Sequence, residues 1–301
     1  MPEGFSLTVS AYDGDASEVA VPHEATAIGE AAFAGNRTIK AVSFPPALTD
    51  VGARAFEGCP KLTAVALPAA TVRIGARAFA RCTNLACVEA TGATSLGEGA
   101  FERCMKLASV VLSPQLDELR ANLFSSCHSL KHAALPSGLS RIGNGAFRNC
   151  KSLASIEFSD GIVSIGDSAF ASCSQLASVK LPHSLASLGM AAFQTCIALE
   201  SARLSPSLLA IPPSCFEGCK KLKTVEIPDG IRVIETRAFA NCKNLEEIAL
   251  PASIREVAPL AFDRCDNLRR IVVGNPDAIV HDSTFAHIAR DIDIILPDDL
   301  A

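Results

Sequence analysis

The stretch IGDSAFASCSQLASVKLP, Ile165–Pro182, decides the fold because its landmarks recur along nearly the whole chain. It opens on Ile165-Gly166, reaches Ala169-Phe170, passes Cys173 and Leu176, and ends in the alternation Val179, Leu181 closed by Pro182. Working outward, its phenylalanine recurs at Phe33, Phe56, Phe79, Phe101, Phe124, Phe147, Phe193, Phe216, Phe239, Phe262 and Phe285. The spacing is 23 residues except for one step of 22 between Phe79 and Phe101. The other landmarks keep step. The Ile-Gly pair recurs at Ile28-Gly29, Ile74-Gly75 and Ile142-Gly143, cysteine at Cys59, Cys82, Cys104, Cys127, Cys150, Cys196, Cys219, Cys242 and Cys265, and leucine at Leu62, Leu130 and Leu245.

A 23-residue unit cannot bury its apolar side alone. Stacked units can, by setting Phe on Phe and Leu on Leu in continuous columns, which predicts a solenoid. Val179 and Leu181 alternate with period two, so each turn is expected to contribute one short strand with those side chains facing inward. Parallel neighbours joined by a wide return connection favour a right-handed coil.

Composition excludes several classes. With 32 acidic and 27 basic residues, a net charge of −5 and no basic run, the chain has no electrostatic basis for wrapping nucleic acid. Gly, Pro or a charge interrupts every apolar run before the roughly 18 residues of a membrane helix, so no membrane insertion is expected. Met1 to Val21 shows no signal-peptide pattern.

The pattern Ile-Gly, Ala-Phe, Cys, Leu, aliphatic-x-aliphatic-Pro resembles the bacterial BspA-like leucine-rich repeats, the Treponema pallidum class, over Val19 to Pro297. The resemblance implies a curved leucine-rich repeat solenoid with its parallel sheet on the concave face. It also implies a cell-surface or secreted protein that binds host or bacterial proteins, with no motif-defined binding residues. On this basis residues 1–18 form an N-terminal cap, 19–297 a solenoid of about twelve units, and 298–301 a tail. Phe5, Leu7 and Val9, a turn at Asp13-Gly14-Asp15, and Val19 and Val21 suggest an antiparallel cap. Three departures stand out: Thr91-Gly92-Ala93 in the short unit, Pro212-Pro213 in place of Gly, and His281, Ile288 and Asp291 in the last unit.

Twelve cysteines do not imply disulfides here. Equivalents in successive coils lie near the rung spacing of about 4.8 Å, beyond the roughly 3.8 Å between Cβ atoms that a bridge prefers. Asn36 replaces cysteine in the first unit, and both residues can donate a hydrogen bond to a loop carbonyl. Cys87 falls on the outward phase of its strand, and Cys215 replaces the alanine before Phe216. Cys127, His128 and His132 are the densest candidate ligand set, but Cys127 belongs to the buried column, so no metal or other cofactor is expected.

Positions eight and ten after Phe face outward. They supply the candidate partner-binding residues Val111, His132, Glu157, Lys180, Arg203, Glu226, Glu247 and Arg270, with Glu157 expected beside Lys180 and Arg203 beside Glu226. The expected function is a non-catalytic protein-binding scaffold, an adhesin or host-interaction protein by resemblance. The alternative is a carrier of a small hydrophobic ligand in a gap near 91–96. An enzyme built on Cys127, His128 or Cys87 is the third reading. A monomer is expected, with end-to-end association open to its terminal strands; Asp291, Asp293, Asp298 and Asp299 oppose that association at the last strand, Ile292 to Leu296.

Overall fold

The computed structural model describes residues 7–288 and 292–295. They form a parallel-strand β-solenoid of about twelve turns with the predicted 23-residue register. Phe5, Asp291, Leu296, Pro297, Asp298 and Asp299 lie outside the described residues. The chain falls into two compact units, Met1–Leu139 with Ala146–Lys151, and Ser140–Gly145 with Ser152–Ala301.

Each coil carries two strands where the repeat pattern predicts one. In the first unit the long strands Ala64–Ala66, Cys87–Ala90 and Ser109–Leu112 form one parallel sheet. The short strands Leu7–Val9, Ala25–Ile28, Asp50–Val51, Arg73–Ile74 and Ser95–Leu96 form another. The second unit repeats the plan, with long strands Ser178–Lys180, Ser201–Arg203 and Thr224–Glu226, and short ones such as Val233–Ile234 and Glu256–Val257. The extra strand arises at the Ile-Gly pair, where Gly75 N donates to Val51 O at 2.7 Å. Glycine is needed there because a Cβ on Gly75 would lie 2.4 Å from Ala53 N of the preceding coil.

The turn that carries Phe is also bonded coil to coil. Arg54, Phe56 and Gly58 donate their amides to Ala76, Ala78 and Ala80 at 2.7 to 2.8 Å. Left-handed φ values of 56° at Arg54 and 72° at Gly58 alternate with ordinary ones, which turns these three amides toward the same neighbouring coil.

Inside, the predicted columns are present. In the first unit Phe56 stacks on Phe33 and Phe79 at 4.7 and 5.2 Å; in the second, Phe216 stacks on Phe193 and Phe239 at 5.6 and 5.4 Å, with planes within 6° in all four pairs. Cysteine Sγ atoms donate to the carbonyl of the previous coil's Phe, for example Cys82 to Phe56 at 3.1 Å and Cys219 to Phe193 at 3.2 Å. Asn36 Nδ2 donates in the same direction, to Gly14 O at 3.0 Å. A further column went unread in the sequence: Leu48, Thr71, Ala93 and Leu116 in the first unit, and Ile162, Leu185, Leu208, Ile231 and Ile254 in the second, are all buried. These residues lie three to six positions beyond the end of the long strand, and the amide at this place closes the turn, as Leu185 N does on Pro182 O at 3.1 Å.

The beginning of the chain departs from expectation. Leu7–Val9 runs parallel, not antiparallel, to Ala25–Ile28, because it occupies the short-strand place of a preceding, irregular coil. Tyr12 stands in for Phe in that coil, with its ring 5.2 Å from Phe33 and its amide donating to Ala32 O at 2.8 Å. Pro212-Pro213 leaves the coil intact, since both prolines serve as acceptors, from Cys215 N and Ala191 N.

Candidate outward strand face

The strand pleat puts alternate residues on opposite sides. In Ser178–Lys180, Val179 is buried while Ser178 and Lys180 are exposed. The same phase leaves Val111 and His132 exposed in the first unit, and Glu157, Lys180, Arg203, Glu226, Glu247 and Arg270 exposed in the second.

Pairing within this face is selective. Arg203 Nε reaches Glu226 Oε2 at 3.1 Å, and Arg270 reaches Glu247 at 3.5 Å, each between directly opposed strand residues. Glu157 and Lys180 do not pair with each other, contrary to expectation. The strand Ser155–Ile156 ends before Glu157, so the backbone no longer holds that side chain opposite Lys180. A second ladder was missed: Lys223 pairs with Glu200 at 3.0 Å, and Arg269 with Glu246. These residues share the 23-residue spacing, which would have revealed them. Exposed pairs of this kind contribute about 0 to 1 kcal/mol each, so they set surface charge more than stability.

Shallow depressions lie along this face. One of about 420 Å³ is lined by Glu157, Phe158, Asp160, Lys180, Pro182 and His183, among others. Another of about 600 Å³ lies by Lys223, Asn244, Glu246, Glu247 and Asn267.

The other candidates separate. Cys127 Sγ donates to Phe101 O at 3.3 Å, His128 Nε2 lies 3.2 Å from Asn149 Nδ2, and His132 is exposed on its strand. Burial, and then the charge of Lys151, lower the pKa of His128. Among the described residues no group of three His, Cys, Asp or Glu could hold a metal. Cys87 is exposed and Cys215 buried. Burial pushes the thiols of Cys150, Cys196 and Cys265 up to about 12.

The expected gap near 91–96 is closed. Ala90, Ala93 and Leu96 are each 1% exposed, and a Cβ on Gly92 would lie 2.1 Å from Ala69 O. The missing residue is absorbed by this close approach, which removes the reason for placing a ligand there.

The surrounding turns carry ionic clusters as well. Arg77 bridges Glu57 and Glu102 at 2.6 and 2.8 Å in the first unit, and Arg237 contacts Glu217 and Asp263 in the second. No helix among the described residues is long and apolar enough to cross a membrane.

The sequence model of the BspA type leucine rich repeat region (6 copies) matches residues 11–131, 88–200, 118–233 and 209–300. Comparison with curated proteins yields no match. Among solved structures, the chain is similar to a leucine rich cell surface protein from Faecalibacterium prausnitzii A2-165. The identity is 27%, the TM-score 0.53, and the match covers 89% of this chain and 90% of that one. A leucine-rich repeat protein from Bacteroides ovatus is 25% identical with a TM-score of 0.62, over 87% of this chain and 82% of its own. One from Eubacterium ventriosum is 21% identical with a TM-score of 0.64, over 91% and 77%, a likeness of fold alone.

Proposed function

We propose that this chain, which belongs to the BspA-type leucine-rich repeat family, is a non-catalytic scaffold that binds a protein partner through the outward face of its long strands. The observation that carries this reading is the row of exposed, differing side chains Lys180, Arg203 and Glu226, set one coil apart on a hydrogen-bonded sheet. Such a face needs little ordering on association, so less of the contact energy is spent on holding it still. Repeat proteins use extended surfaces of this kind for recognition.

In the same reading the partner is a host or bacterial protein, and the chain works at the cell surface or after secretion. The description of the Faecalibacterium neighbour as a cell surface protein supports that location. The irregular first coil, within the described residues 7–18, caps the array. The cysteine column stays reduced, each thiol serving as a buried donor.

Affinity capture from host and bacterial extracts tests the proposal, with Lys180→Glu and Arg203→Glu as paired controls. The reversals are expected to remove a specific partner while leaving the circular dichroism spectrum and melting unchanged. Equal capture by the folded variants would count against this face.

A further inference from the structure

On the strand face of the second unit, charge falls into two classes. Glu200 with Lys223, Arg203 with Glu226, Glu246 with Arg269 and Glu247 with Arg270 neutralise one another. The side chains of Glu157, Asp160, Lys180 and His183 make no ion pair or hydrogen bond among the described residues, and all four residues line the same depression of about 420 Å³. The larger depression, beside Lys223, Glu246 and Glu247, carries charges that are already paired.

The floor of the smaller depression is apolar. Leu181 and Pro182 are buried, and Phe158, half-buried, stands edge-on to Phe170 at 5.7 Å. Unpaired charges beside an apolar floor are what an occupant of complementary charge exploits, because its arrival supplies both partner and contact. Two carboxylates against one ammonium leave the site one unit negative with His183 neutral.

A long aliphatic stem ending in a cation fits this chemistry, with the stem on Phe158 and the head toward Glu157 and Asp160. Arginine suits it better than lysine, because the planar guanidinium presents five donors and stacks on an aromatic ring. Lys180 on the wall repels a second adjacent cation, which selects an isolated arginine over a basic run.

We infer that this depression seats a single arginine side chain from an extended segment of a protein partner. The inference rests on the strand-face reading and names its anchor.

The test is selection of a random dodecapeptide library on the full chain, followed by binding measurements on Glu157→Gln/Asp160→Asn and on Arg203→Glu, each checked for folding by circular dichroism. Selected peptides are expected to carry one arginine. Replacing that arginine with glutamine, or using the double variant, weakens binding about tenfold or more. Peptides without arginine enrichment, or bound equally by the double variant, overturn the inference. If such peptides are still lost on Arg203→Glu, the strand-face reading survives without this anchor. A library that yields no binder overturns both.

Discussion

Phe216→Ala tests whether the aromatic column holds the coils together. Phe216 is completely buried, and its ring lies between Phe193 at 5.6 Å and Phe239 at 5.4 Å, with planes inclined by 6° and 5°. Truncation to alanine removes the buried ring and leaves a cavity, a change that costs about 3 to 5 kcal/mol. Phe216→Leu separates two contributions: it keeps most of the apolar volume but forfeits both ring stacks, each about 0.5 to 1.5 kcal/mol, so its cost is about 1 to 3 kcal/mol. The chain has no tryptophan, and repeat arrays need not unfold as one unit, so native-state hydrogen exchange is the appropriate assay. The amides of Phe193 and Phe216, which donate to Cys215 O and Ala238 O, should lose protection by these amounts, while that of Phe56 should keep its own. A loss below about 1 kcal/mol for Phe216→Ala, or an equal loss at Phe56, would refute the nearest-neighbour reasoning.

Native alkylation should modify Cys87 quickly and the column thiols slowly, because Cys87 is exposed while burial hides the others and raises the thiols of Cys150, Cys196 and Cys265 to about 12. Unfolded in denaturant without reductant, the chain should titrate as twelve thiols; a deficit of two or more would mean a disulfide. Acid should weaken the Arg77 cluster. The hydrogen bond from Arg77 holds Glu57 below its usual carboxylate range, against the opposing effect of burial and with help from Arg54. Its contribution is therefore complete above the unfolded value of about 4.3 and is lost as pH falls through the lower folded value. The melting difference between wild type and Glu57→Gln should accordingly be largest near pH 7 and shrink below about pH 4. A difference constant from pH 7 to pH 3 would show that the pair stabilises nothing.

The sequence by itself determined the register. Because equivalent positions of stacked repeats face the same neighbours, the 23-residue spacing of Phe and Cys already implied the columns at Phe56 and Phe79 or Cys219 and Cys242. The outward phase of Lys180 and Arg203 followed from the strand alternation, so the candidate face was legible too. Leu116, Leu208 and the Glu200–Lys223 ladder carried the same periodic signal and went unread. What only the tertiary structure decided depends on where the backbone stops repeating. Ser155–Ile156 ends one residue before Glu157 and leaves it unpaired, Gly92 closes on Ala69 and fills the expected gap, and Leu7–Val9 joins the sheet in parallel with Tyr12 in place of Phe. Periodicity fixes which residues can meet. Strand length and close backbone approach decide which of them do, because these depend on the particular neighbours across each coil and not on the average unit.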